Sequence, residues 1–499
     1  MLSIGKHSSV YFIGQALSRA VGFFMIPVYT RFIGPTNYGA MELIEILSAV
    51  AGMIISMGVA DGMSRFYYAE KDQIKRNLVV SSIIIGLGGI GIPLVVLFLD
   101  VSGFVSRVVL EEAQYGYYLQ ISIATVWFGM LCEVGYTFLR MLYMAKHFVA
   151  ITTCQLIVAL GLNIYFVVFL ELDILGIFYS TLITQGLTGT VLSIAILKKV
   201  HPKLSMLALW HLIRFGLPLV PAQIGLMLGF VSNRFFLRWF ASSDPMVALA
   251  QVGLFSLGHK FGVIINRFIN VPFNSFWAPR RLELILSGSP NSREVVARVC
   301  TYATLCSIYA SLLLSSGIES LIEIIADPRY QGSHQVVPFI ALAYVALGLE
   351  THFTTGILYK KKTIWTTYVS ILSLAVIIMW NYIFVPKYGL VGAATSNLAG
   401  FTVRGFLIYK ISQRFYPIPF ELRRIGMMFL TGCVLYFICQ SICFHSVYLT
   451  FLARIGLSAL YPIILFWLGF FHEQEVEFMG QSFRKGLRRI ALSYLFRWV

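Results

Sequence analysis

Residues 246–276 read MVALAQVGLFSLGHKFGVIINRFINVPFNSF. At 1.5 Å per helical residue this run is long enough to cross ~30 Å of hydrocarbon. It lacks the two-residue alternation of a barrel strand. It nevertheless carries His259, Lys260, Asn266, Arg267, Asn270 and Asn274. At 100° per residue these fall within an arc of ~120°. The opposite face holds Phe261, Ile264, Ile265 and Phe268. A lipid-facing helix does not carry such a polar stripe. It reads either as a seam satisfied by neighbouring helices or as the wall of a hydrated, cationic cavity.

Working outward, similar apolar runs recur along the 499 residues. They span 8–33, 38–60, 78–99, 115–138, 148–170, 174–197, 215–240, 246–276, 296–325, 334–358, 363–385, 389–411, 424–445 and 449–471. The expectation is an all-α integral membrane protein of about fourteen transmembrane helices. Composition agrees: 58% of residues are hydrophobic and 12% charged, against about 25% charged in a soluble domain. The balance excludes a water-soluble enzyme, a disordered chain and an ordinary nucleic-acid-binding protein. The seven cysteines form no CxxC pair and read as small apolar filler. There is no P-loop and no HExxH, so neither ATP hydrolysis nor zinc catalysis is expected; no catalytic residue, metal or cofactor is predicted.

The net charge is +16, and most of it marks topology. Basic clusters follow alternate runs: Arg65, Lys71, Lys75 and Arg76; Lys198 and Lys199; Arg280 and Arg281; Lys360, Lys361 and Lys362; Arg423 and Arg424. The rule that cytoplasmic loops are the basic ones places both termini in the cytoplasm. Stretches 61–77, 200–214 and 476–499 look amphipathic, and the basic tail is expected on the anionic inner leaflet.

The two halves resemble each other. Phe138–Lys146 (FLRMLYMAK) matches Thr354–Lys362 (TTGILYKKK), about 216 positions on. Downstream, Asn163, Phe166, Gly176 and Ser180 pair with Asn381, Phe384, Gly392 and Ser396. Gly22 and Arg31 pair with Gly229 and Arg238. The expected organisation is an N-terminal six-helix bundle (1–199), an amphipathic linker (200–214), a parallel second bundle (215–412), two further spans (413–471) and a tail (472–499). Parallel repeats of this kind suit alternating access.

What topology leaves unexplained is the basic set at membrane depth. Arg19 and Gln15 share a polar face with Ser8, Tyr11, Ser18 and Gly22. With Lys260, Arg267, Asn270 and Asn274 they are the candidate cavity lining. Arg234 and Arg404 lie within snorkelling reach of an interface, and Arg454 is expected at one. Glu42 and Glu45, in the second run, are candidates for a coupling proton or Na⁺; the plainer reading pairs them with the arginines.

The segment SVYFIGQALSRAVGFFMIPVYTRFIGPTNYGAMELIEIL, residues 9–47, resembles the start of Wzx-type polysaccharide flippases, relatives of MATE drug exporters and lipid II flippases. VPKYGLVGAATSNLAG, residues 385–400, is similar to a late segment of that family. The resemblance implies two six-helix bundles around an alternately open cavity. It implies a lipid-linked oligosaccharide on an undecaprenyl diphosphate carrier as cargo, moved across the inner membrane to the periplasmic leaflet for O-antigen, capsule or exopolysaccharide assembly. Expected partners are membrane lipids, H⁺ or Na⁺, a polysaccharide polymerase and a chain-length regulator, with no nucleic acid. Arg19, Lys260, Arg267, Arg234 and Arg404 occupy positions fitting a diphosphate or acidic sugar. Many relatives carry an acid where Asn233 stands, which removes a salt bridge from that point. Alternatives are a lipid II flippase of peptidoglycan synthesis, a MATE-type cation or drug antiporter, and a membrane transferase or polymerase.

Overall fold

The computed structural model describes residues 25–89, 91–289, 291–473 and 475, and every regular element among them is helical. In chain order these are α1 (Ile26–Phe32), α2 (Pro35–Ser56), α3 (Val59–Ala69), α4 (Gln73–Gly89), α5 (Gly91–Val109), α6 (Tyr115–Met141), α7 (Ala145–Ile164) and α8 (Asp173–Val200). There follow α9 (Met206–Gly216), α10 (Val220–Phe240), α11 (Pro245–Gly262), α12 (Val271–Leu286), α13 (Ser292–Ile325), α14 (Val337–Phe353) and α15 (Thr355–Tyr359). The last are α16 (Ile364–Phe415), α17 (Leu422–Ser441), α18 (Val447–Ala459) and α19 (Tyr461–Trp467).

Twelve helical segments among the described residues are long and apolar enough to cross a membrane. The difference from the expected count of about fourteen lies in two places. Run 8–33 lies outside the described residues except for its end, α1. Runs 363–385 and 389–411 are joined in α16, 52 residues long. A straight helix of that length would measure roughly 78 Å, far more than a bilayer. It is instead broken at Gly389 (φ 49°, ψ −121°), three residues after Pro386. Proline removes a helical N–H, and glycine adopts the left-handed φ that other residues resist.

The amphipathic stretches take distinct forms. Residues 61–77 divide between α3 and α4. Residues 200–214 lead into α9, capped by Ser205, whose side chain accepts from the Ala208 N–H. Leu209 and Leu212 of α9 are buried in a core with Val80 and Ile83 of α4 and Met63 of α3. The tail 476–499 lies outside the described residues.

The chain divides into two compact units. The first comprises 1–260, 325–336 and 374–399, and the second 261–324, 337–373 and 400–499. In the first, α6 packs against α2, α5 and α8. There α2 and α11 meet backbone to backbone. A Cβ on Gly39 would stand 2.0 Å from the Leu249 carbonyl oxygen, and one on Gly253 2.0 Å from that of Pro35. In the second unit, α17 packs on α18 and α19.

Local geometry repeats where the sequence did. Helix α6 ends with the Leu142, Tyr143 and Met144 N–H groups bonded to the carbonyls of Phe138, Arg140 and Leu139. Helix α15 ends with Lys360, Lys361 and Lys362 bonded to Gly356, Leu358 and Ile357. Tyr143 and Lys361 take φ of 57° and 55°. These are the same helix stop, set two residues off the register that the Leu-Tyr match suggests. Further on, a Cβ on Gly176 would crowd the Phe166 backbone at 3.0 Å, and one on Gly392 the Phe384 carbonyl at 2.4 Å. The matched glycines thus sit against the matched phenylalanines.

Candidate functional site

A buried polar cluster lies in the first unit. On α2, Tyr38, Glu42 and Glu45 follow at spacings of four and three, one face of a helix. On α11, Ser256 and Lys260 are likewise four apart, and α10 supplies Arg234. Lys260 Nζ lies 2.8 Å from Glu42 Oε1 and donates to the Tyr38 hydroxyl at 2.6 Å. Arg234 Nε is 3.7 Å from Glu42 Oε2 and donates to Ser256 Oγ at 3.1 Å. Both cations also lie over rings, Lys260 over Tyr38 and Arg234 over Phe255. The Tyr38 ring meets Tyr330 edge-on, and the Tyr330 hydroxyl donates to the Ile33 carbonyl at 3.0 Å.

The charges in this cluster balance. The Glu42 and Arg234 side chains are 9% and 6% accessible, while Lys260 is 41% accessible. One buried carboxylate therefore serves two cations, one of which reaches open space. Glu45 is exposed one turn along, and within the described residues it has no cation at ion-pair distance. It lies in the field of Glu42, Lys260 and Arg234.

Other predicted residues fall elsewhere. Gln15 and Arg19 lie outside the described residues. In the second unit, the Asn270 side chain donates to the Tyr344 carbonyl at 2.8 Å and accepts from Ser307 at 3.0 Å. Asn270 and Asn274 line one cavity of about 500 Å³, with His352, Tyr302 and Arg298. Arg404 reaches Glu350 at 3.5 Å. Arg267 is exposed, in a π-helical turn spanning Asn266–Asn270.

That turn corrects the stripe. A π turn adds a residue to the helical period, so the 100° wheel does not carry through from Lys260 to Asn274. Of the face opposite the stripe, Phe261 and Ile265 are buried at 0% and 2%, and Phe268 is exposed. The snorkelling and interfacial expectations also change. Arg234 is buried and paired. Arg454 is buried and bonded to Glu319 at 2.6 Å. Arg238, near the end of run 215–240, is buried, bonded to the Leu110 carbonyl at 3.0 Å and paired with Glu111 at 3.2 Å. Asn233 is buried, and its amide has no hydrogen bond within the described residues. Tyr38, Ser256 and Tyr330 were missed. The 38/42/45 spacing was the one signal for Tyr38, and it does not reveal partners two hundred residues away such as Ser256 and Tyr330. Among the described residues no group of three or more His, Cys, Asp or Glu side chains is placed to hold a metal ion.

A sequence profile of the family described as polysaccharide biosynthesis protein matches residues 4–283, more than half of the chain. The chain belongs to that family. Its fold is one found in solved membrane transporters. A structure of lipid II flippase MurJ in an inward closed conformation covers 91% of this chain and 98% of its own, with a TM-score of 0.70 and 14% identity. An inward-facing multidrug resistance MATE transporter of the MOP superfamily covers 84% and 98%, with a TM-score of 0.54 and 14% identity. A MOP superfamily transporter from Pyrococcus furiosus, described as having a binding pocket of reversed polarity, covers 82% and 94%, with a TM-score of 0.52 and 14% identity. No curated protein matches the chain. This member of the polysaccharide biosynthesis protein family is thus a multi-pass membrane protein with a MurJ- and MATE-like helical fold.

Proposed function

We propose that this chain flips a polyprenyl-diphosphate-linked oligosaccharide repeat unit from the cytoplasmic to the periplasmic leaflet. It does so by alternating access of two six-helix bundles, with both termini in the cytoplasm. Family membership supports a role in surface polysaccharide assembly. The observation that carries the mechanism is the Glu42–Lys260–Arg234 cluster. Glu42 pairs with both cations, so an anion that competes with that acid can take its place.

A diphosphate diester carries two negative charges. With Glu42 and Glu45 ionised, the cluster of two acids, Lys260 and Arg234 is neutral. Protonating both acids leaves two positive charges, matching the cargo. Glu45, which is exposed, exchanges the first proton with its surroundings; Glu42 gives up its cations as the diphosphate arrives. Reionisation on the far side restores the internal pairs and expels the cargo. The polyprenyl tail stays in lipid throughout. Arg19 and Arg267 are further candidate phosphate contacts in this reading and Gln15 a polar one, and Na⁺ in place of H⁺ would neutralise the acids equally.

The test is surface polysaccharide in cells whose own copy is deleted. Lys260→Ala and Arg19→Ala should abolish it with membrane levels of the protein unchanged; normal polysaccharide in both would sink the assignment. A second reading, a lipid II flippase, draws on the fold shared with MurJ. Depletion would then cause lysis rather than loss of a surface coat.

A further inference from the structure

A polar cavity lies in the first unit, away from the Glu42 cluster in sequence and composition. It measures about 490 Å³ and is built from two facing helical stripes. Helix α3 contributes Asp61, Ser64 and Tyr68 at spacings of three and four. Helix α6 contributes Glu133, Thr137 and Arg140 at four and three. Each set therefore occupies one side of its helix, and the two helices pack together.

The groups are fixed rather than mobile. Arg140 donates to Glu133 at 2.5 Å and to Thr137 at 2.8 Å. The Tyr68 hydroxyl donates to the Met141 carbonyl at 3.1 Å, which pins its ring, half exposed, at the cavity. Asp61 accepts from Gln223 at 2.9 Å. Each carboxylate still has acceptor capacity left, since two oxygens offer about four lone-pair sites.

The matching place in the other half argues against a purely structural role. Glu133 and Glu350 are each followed four residues later by a threonine that bonds their carboxylate, at 3.4 and 3.3 Å. In the second half the element is closed: Glu350 is buried and paired with Arg404. In the first half the Glu133 side chain is 56% accessible. The ion pair would hold the helix equally well if sealed; only the first copy is opened to a cavity.

We propose that this cavity binds a neutral sugar ring of the cargo. Two carboxylates with spare acceptor sites suit paired ring hydroxyls, Arg140 and the Ser64 hydroxyl supply donors, and the Tyr68 face meets the apolar side of the ring. The local charge, two acids against one arginine, repels a phosphate or a uronic acid. The diphosphate and the sugar thus go to different places: cations at Lys260 and Arg234, acids and an aromatic ring here. The assignment of the sugar to a membrane-bound cargo rests on the flippase reading; the binding itself does not.

The experiment is saturation-transfer NMR on the purified full chain in nanodiscs, using methyl glycosides of glucose, galactose and N-acetylglucosamine as probes and glucuronic acid as the anionic comparison. At least one neutral glycoside should give transfer, with glucuronic acid weaker. Asp61→Asn and Glu133→Gln should each cut the signal by about tenfold, the loss expected for a hydrogen bond to a charged acceptor. Both are near-isosteric changes of exposed side chains, and unchanged melting temperatures verify the fold. No transfer from any neutral glycoside, equal transfer in the variants, or preference for glucuronic acid overturns the site. Binding of sugar-free undecaprenyl diphosphate by the wild-type chain, measured beside it, reports separately on the flippase reading.

Discussion

Glu42→Gln should lower stability and raise affinity for a diphosphate at once. The substitution keeps the shape of the side chain and removes its charge. In the native protein Glu42 sits 2.8 Å from Lys260 and 3.7 Å from Arg234, and is 9% accessible. Breaking a buried ion pair from one side costs about 3–5 kcal/mol, because the other charge is stranded. The loss here is smaller. Lys260 is 41% accessible and recovers solvation, and Arg234 keeps Ser256 and the Phe255 ring. About 2 kcal/mol is the expected net cost. The same change frees two cations for ligand, and a coupling of 1–3 kcal/mol is common between such competing partners. Undecaprenyl diphosphate should therefore bind about tenfold tighter. Thermal unfolding in detergent reads the first effect and a filter-binding titration the second. A Glu42→Gln/Lys260→Met double variant should lose less than the two single variants summed, since the members of the pair are coupled. Unaltered stability together with unaltered or weaker diphosphate binding would refute the shared-acid arrangement.

Gly39→Val should destabilise the first unit by about 1–3 kcal/mol through overpacking, because its Cβ would meet the Leu249 carbonyl at 2.0 Å; lower melting temperature and yield check this. Gly389→Ala forces a left-handed φ on a residue with a side chain, costing roughly 1 kcal/mol or more, read as a lowered melting temperature with Ala substituted at exposed Gly426 as control. Arg424 bridges Glu421 and Glu475, both at 2.9 Å, and lies over the Phe470 ring. Arg424→Ala should therefore expose the chain beyond Trp467 to protease several times faster. Burial would push the Glu475 carboxyl up, but the His472 N–H, Tyr302 and Arg424 hold it below its ordinary value. A depressed carboxylate contributes stability above its unfolded pKa of about 4.3, and loses it as pH falls through the lower folded value. Protection of this segment should persist at neutral pH and fail in acid below that window; protection unchanged in strong acid would contradict the role given to Glu475.

Hydropathy made the helical membrane class legible, because any chain crossing hydrocarbon must satisfy its backbone internally. The repeat was legible too, and the paired helix stops at Tyr143 and Lys361 give it a physical basis. Two features were not. Helical-wheel reasoning assumes constant pitch, so the π turn at Asn266–Asn270 moved Arg267, Asn270 and Asn274 off the arc shared with Lys260. Distance from the end of an apolar run was also a poor guide to the environment of arginines. Arg238 and Arg454 lie near run ends yet are buried, held by Glu111 and Glu319 and by backbone carbonyls. Lys260, Arg234 and Glu42 were each singled out, but nothing local in the sequence says that one acid serves both cations. That fact belongs to the meeting of α2, α10 and α11.

The most direct measurement is transport by purified protein in liposomes, using a fluorescent undecaprenyl-diphosphate oligosaccharide and scoring its arrival in the opposite leaflet. The wild-type chain should move the lipid, faster when the loading side is more acidic than the receiving side, and Lys260→Met should reduce the rate to the protein-free background. A wild-type rate equal to that of empty liposomes, or a Lys260→Met rate equal to wild type, would contradict the account.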